Sequence, residues 1–141
     1  MKRFIPYILS ITLILFSCDS HSISPEYKLN TNKAISSKVV IFVSPTSDKI
    51  KKLKAKDEDA FYTNADDVNY YNAKAEEYLE KHNIPYKLTK ETKIKFLVHN
   101  KLTEIDYSNS EQAWFIIIYN GTDKPIKGYS INIDKYMKLL E

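Results

Sequence analysis

The sequence predicts an α/β (α+β) domain: a mixed sheet of about five or six strands with a β-α-α-β start, antiparallel hairpins and a C-terminal helix. Three observations point to it. Val39-Val40-Ile41-Phe42-Val43 is a continuous apolar run, the mark of a strand buried on both faces. Val68, Tyr71, Ala75, Tyr78, Leu79 and His82 keep the three-to-four spacing of a single helix face. From Ile84 onward the apolar period drops to two, through Ile94, Phe96 and Val98 and then Thr103, Ile105 and Tyr107.

After the first strand, Ser44 offers an N-cap and Pro45 suits the first helical position. Ile50 and Leu53 give this first helix a narrow apolar stripe among Lys49, Lys51, Lys52, Lys54 and Lys56, a solvated face. The long helix is expected over 64–82. Thr63 followed by Asp66 matches a capping box, and Asp66 and Asp67 both fall in its first turn, where negative charge favours the helix dipole. Phe61 or Tyr62 can staple the entry. Glu77 and Lys81 form an i,i+4 pair, Asn83 suits a left-handed position after the helix, and Pro85 stops it. His82 on the packed face reads as a capping or core residue, not a ligand.

Ile84, Tyr86 and Leu88 begin the alternating strands. An Asn100-Lys101 turn would pair Val98 with Thr103, Phe96 with Ile105 and Ile94 with Tyr107 on the core face. It would also set Lys95 opposite Asp106 and Leu97 opposite Glu104. The run 113–119 is the most apolar after Cys18 and reads as a central strand. Residues 120–124 turn it, and 125–131, with Pro125 and Gly128, return as an edge strand. Ile133, Tyr136, Met137 and Leu140 mark the terminal helix.

The N-terminus has a different grammar. Lys2 and Arg3 precede an apolar run over 4–16, too short for the roughly 20 residues that span a bilayer. Leu15-Phe16-Ser17-Cys18 resembles the bacterial lipoprotein signal. That resemblance implies removal of 1–17, a lipid on Cys18, and a domain held in the bacterial cell envelope outside the cytoplasm. The membrane would be the first partner; inner or outer membrane is left open. A multiply acylated cysteine anchors firmly, since each buried methylene contributes about 0.8 kcal/mol. The polar segment 18–37 reads as a tether reaching roughly 22–26 Å, and 38–141 as one domain.

Composition excludes several chemistries. Cys18 is the sole cysteine, so neither an intramolecular disulfide nor a cysteine metal cluster can form. Without Lys2 and Arg3 the 21 basic residues fall to 19 against 18 acidic, which gives no case for nucleic acid. There is no glycine-rich phosphate loop, nucleophile elbow or His-Glu-x-x-His helix, and no cofactor or metal site is assigned. Asp57-Glu58-Asp59 lacks the alternating ligands and central glycine of a calcium loop. Glu104 and Asp106 share a solvated strand face. Asp66 and Asp67, adjacent on a helix, point about 100° apart and cannot converge on one atom. No catalytic residue is assigned. Asp59, Asp66, Asp67 and Tyr70 form the candidate binding surface.

Two further resemblances bear on function. Val43-Ser44-Pro45, Phe61-Tyr62-Thr63 with Ala65-Asp66-Asp67, then Tyr71 and Glu77-Tyr78-Leu79-Glu80-Lys81 resemble a group of small secreted bacterial proteins that carry an FYTxADD-type motif and have no established activity. The strand–helix–strand start and strand–strand–helix finish are similar to the thioredoxin-like layout, without its redox cysteines. Together these features lead us to expect a lipid-anchored envelope protein whose domain binds another macromolecule, for example as an inhibitor or immunity factor. Two alternatives stand beside it. One is an envelope hydrolase using Asp59, Asp66 or Asp67; the other is a structural or small-ligand-binding lipoprotein with an apolar pocket beneath the sheet.

Overall fold

Val39–Val43 (β1) is buried at every position because it lies mid-sheet between two packed layers. The structure, a computed structural model, describes residues 28–30 and 32–141. Cys18, the segment read as a signal and the first part of the segment read as a tether lie outside the described residues. After β1 come helices Ser47–Lys56 (α1) and Glu58–Lys81 (α2), then strands Tyr86–Thr89 (β2), Lys93–Val98 (β3), Lys101–Asp106 (β4), Phe115–Tyr119 (β5) and Ile126–Gly128 (β6). A single α-turn, Ile133–Tyr136 (α3), closes the chain between two 3₁₀ turns.

Among the described residues there are six strands, but they form two sheets instead of one. Four strands run in the order β2-β1-β5-β6, with β1 and β2 parallel and the other pairs antiparallel. The β3-β4 hairpin is a separate two-stranded sheet laid over one face of the larger one. Val39, Ile41, Val43, Phe115, Ile117 and Tyr119 meet Ile94 and Phe96 of the hairpin. The alternate residues Val40, Phe42, Ile116 and Ile118 meet Ala75 and Leu79 of α2 and Ile133, Met137 and Leu140 at the terminus. Burying each such side chain contributes about 1.5–3 kcal/mol, which is why β1 and β5 carry unbroken apolar runs.

Several boundaries differ from expectation. The long helix begins at Glu58, six residues before the expected start: Asp57, in extended backbone, caps it by accepting from Ala60 N–H at 2.9 Å. Thr63, Asp66 and Asp67 therefore lie inside the helix, and the Thr63–Asp66 capping box is not made. α1 is capped by Thr46 and not Ser44, because Ser44 N–H donates to Thr89 O at 2.9 Å and so prolongs the sheet. The hairpin turns at His99-Asn100, both at positive φ, and pairs Val98 with Lys101, Phe96 with Thr103 and Ile94 with Ile105. Lys93, not Lys95, lies opposite Asp106, and Leu97 faces Leu102. The shift is two residues, so each side chain keeps its face.

The end of α2 follows expectation closely. Asn83 has φ 53°; its N–H donates to Glu80 O, and Ile84 N–H donates to Leu79 O at 2.9 Å, a Schellman closure that buries Ile84 beside Leu79. The His82 ring stacks on Tyr78 with centroids 4.4 Å apart. β6 is a short edge strand, and Gly128 leaves the space the Tyr136 ring occupies. Part of the segment read as tether lies on the domain: Leu29 and Ile35 pack against the hairpin-side cluster. Among the described residues no helix is long and apolar enough to cross a membrane.

Candidate functional site along the long helix

α2 is longer than the sheet it rests on. Its buried residues, Ala75 and Leu79, belong to its C-terminal half. Upstream, Phe61, Val68 and Tyr71 are half-buried, because what faces them is not the sheet but two short chain segments. One is Gln112-Ala113-Trp114, leading into β5; the other is Tyr129-Ser130-Ile131, after β6. Lys49 of α1 holds the first of these in place, its Nζ donating to Ser110 O at 3.0 Å and Gln112 O at 3.4 Å. The Phe61 ring tilts against Trp114 with centroids 5.6 Å apart.

Between helix and segments runs an open groove with three adjoining compartments, each sharing lining residues with the next. The first, about 590 Å³, has an apolar floor of Leu53, Phe61, Val68 and Trp114, with Asp57, Asp67 and Glu111 against Lys56 around it. Val68, Trp114 and Tyr129 lead into a second, about 180 Å³, that continues to Tyr71 and Ile131. The third, about 440 Å³, lies between Tyr71, Tyr78 and Ile131, and its charges, Lys74, Lys81, Glu77 and Asp134, balance. One end of the groove is thus acidic and the other neutral. Ile131 is 54% exposed and Tyr129 37%, so the groove presents apolar surface to solvent.

Of the four sequence candidates, the structure brings Asp67 alone to this groove, on the wall shared by its first two compartments. Asp59 and Asp66 are exposed and line none of the three compartments. Tyr70 is 55% exposed; its ring meets Tyr71 edge-on at 5.2 Å and lies 4.5 Å from Lys74 Nζ. The hydrogen bond to Tyr70 is the main reason the Lys74 ammonium is held above its ordinary range. Glu76, half-buried, has its carboxyl raised, first by desolvation and then by the nearby Glu80.

Asp57 is committed to the helix cap. Among the described residues no three His, Cys, Asp or Glu side chains come together to hold a metal. The groove residues that sequence reasoning passed over are Phe61, Glu111, Trp114, Tyr129 and Ile131. Phe61 lies seven residues before Val68, a helical repeat that becomes visible once the helix is started at Asp57. Glu111, Trp114 and Tyr129 come from loops and Ile131 from the 3₁₀ turn before α3, and no local signal marks them. Comparisons with family models, with characterised proteins and with solved structures find no match to this chain.

Proposed function

We propose that this chain is a lipid-anchored bacterial envelope protein whose small domain binds another macromolecule in the groove along α2. The observation that carries the reading is the groove itself: an aromatic floor, solvent-exposed Tyr129 and Ile131, and an acidic end. Its three compartments lie in a row beside α2, whose 24 residues extend about 36 Å at 1.5 Å each. A run of that form suits an elongated segment of a partner better than a compact small molecule. Burial of tyrosine and tryptophan is the usual energetic centre of such contacts. An inhibitor or immunity role is compatible with binding of this kind.

Anchoring rests on the Leu15-Phe16-Ser17-Cys18 resemblance. The chain from Cys18 to Lys28, the first described residue on the domain, covers ten residue steps and so at most about 33–36 Å. A partner in this reading lies close to the membrane. For the domain, the strand order β2-β1-β5-β6 supports a thioredoxin-like outline in which the β3-β4 hairpin stands where a helix is usual. The hydrolase alternative loses ground on placement, since Asp59 and Asp66 line none of the compartments that Asp67 borders. The pocket beneath the sheet that a small-ligand protein needs is, on both faces, filled by packed side chains such as Phe42, Ile117 and Phe96.

The test is co-purification from native envelopes in mild detergent, comparing Asp67→Lys with Asp66→Lys. The reading expects a stoichiometric partner that survives Asp66→Lys and is lost at least tenfold with Asp67→Lys at unchanged stability. Equal recovery from both variants would refute the groove. Cys18→Ser, in the same preparations, should move the chain out of the membrane fraction.

A further inference from the structure

The two sides of the stacked sheets are finished differently. On one side Ile35 lies along β3: its N–H donates to Lys95 O at 2.8 Å, and its carbonyl accepts from Leu97 N–H at 2.9 Å. The same segment reaches the larger sheet, where Leu29 N–H donates to Leu88 O of β2 at 3.1 Å. Lys95 O and Leu97 N–H, outward peptide groups of β3, are therefore met by a parallel strand-like segment.

Among the described residues β4 has no such cover. With a two-residue turn, Val98↔Lys101, Phe96↔Thr103 and Ile94↔Ile105 are the hydrogen-bonded pairs. Lys101, Thr103 and Ile105 thus direct their peptide groups at β3, and Leu102, Glu104 and Asp106 direct theirs away from it. Among the described residues, nothing hydrogen-bonds to the backbone of these three. Their side chains are exposed as well, Leu102 at 66%. A six-residue edge of this kind, neither buried nor blocked by proline or a bulge, is a template for another strand.

Charge narrows the occupant. On the outer face β3 carries Lys93 and Lys95, and β4 carries Asp106 and Glu104 opposite them. Lys93 Nζ lies 3.9 Å from Asp106 Oδ2. The next row that completes this alternation is basic. A second copy laid antiparallel and centred on Glu104 would set that carboxylate against its own counterpart, which disfavours self-pairing. Inward-facing residues of an added strand would lie towards a recess of about 400 Å³ between β4 and β6, lined by Ile105, Tyr107 and Pro125 with Lys124 and Lys127. Lys127 is already engaged, its Nζ donating to Ser110 Oγ at 3.1 Å and lying 5.6 Å from the Phe115 ring. Apolar inward residues therefore fit best.

From this we infer that β4 is a docking edge for an extended segment of a partner protein in which lysine or arginine alternates with apolar residues. The segment joins as a third strand of the small sheet. This surface is separate from the α2 groove and does not depend on it.

The test uses the full-length chain in mild detergent with a capped synthetic hexapeptide of alternating lysine and valine, in millimolar excess. Amide-resolved hydrogen exchange should slow at Leu102, Glu104 and Asp106 by about tenfold while Thr103 and Ile105 are unmoved, because exchange reports local opening of each amide. A glutamate–valine peptide, or a lysine–valine peptide N-methylated along the facing edge, should give no protection. Glu104→Lys with Asp106→Lys should reverse the preference between the two peptides. No protection by the lysine–valine peptide, or equal protection by both, overturns the proposal. So does a free chain that is dimeric with these amides already protected, which would make the occupant a second copy.

Discussion

Replacing Asp57 by alanine tests where α2 begins, and with it the wall of the groove. The change removes the 2.9 Å bond from Ala60 N–H to Asp57 Oδ1 and a carboxylate at the positive end of a 24-residue helix. Loss of an N-cap side chain costs about 1 kcal/mol, within a range of about 0.5–2. The carboxylate's interaction with the helix dipole is worth about 0.3–1 kcal/mol. The two overlap, so the expected loss is about 1–2 kcal/mol. For a domain of this size each kcal/mol lowers the melting temperature by about 4–8 °C. Urea unfolding followed by far-UV circular dichroism measures it. The dipole part should shrink in high salt and the hydrogen-bond part should persist. Thr63→Ala is the control: Thr63 is exposed inside the helix, so the change should stay within about 0.5 kcal/mol. A loss from Thr63→Ala with none from Asp57→Ala would place the helix start at the capping box. Phe61 would then no longer be held against Trp114 by the helix.

Three further outcomes follow from packing and burial. Gly128→Ala puts a methyl 2.5 Å from the Tyr136 ring, so it should destabilise by about 1–3 kcal/mol, and the added Tyr136→Ala should recover part of the loss in the same unfolding assay. Burial pushes the Tyr107 phenol up to about 12 from 10.0. The fold keeps that proton after the unfolded chain has lost it, so stability should fall as pH rises from about 10 to about 12, and Tyr107→Phe should remove that component. At neutral pH Tyr107→Phe should leave stability unchanged or raise it by up to about 1 kcal/mol, since the buried hydroxyl has no hydrogen-bond partner among the described residues. Glu76 has the opposite consequence: its folded carboxyl titrates above the unfolded one, so its ionisation costs stability, which is regained as pH falls through the folded value. Glu76→Gln should therefore raise stability at pH 7 and flatten its rise on acidification, read by urea midpoints across that range.

The elements whose burial is local and continuous were legible in the sequence. β1 and β5 announce themselves because both faces are covered, and Asn83 with Ile84 marks a helix end whose closing bonds lie within six residues. The start of α2 was not legible. Asp57 and Thr63 are both competent caps, and the choice between them falls to contacts far away in sequence, Phe61 on Trp114 among them. The hairpin turn failed for a related reason. A slip of two residues preserves every face, so alternation cannot separate the two registers, and the bond from His99 N–H to Thr122 O lies outside the hairpin. Periodicity likewise does not say whether a hairpin extends a sheet or covers it. Of the candidate surface, Asp67 was within reach because it is the acid the capping box did not need. Glu111, Trp114, Tyr129 and Ile131 join it only through tertiary structure.

The central claim is that a partner lies in the groove along α2. It is tested most directly by a photoreactive amino acid placed at Asn64, which lines the acidic compartment, or at Tyr70, which lines none of the three compartments. Both chains are expressed in the native envelope and irradiated. The account predicts a discrete crosslinked adduct from position 64, competed away when unlabelled wild-type chain is in excess and absent from position 70. An adduct from position 70 with none from position 64 would contradict it.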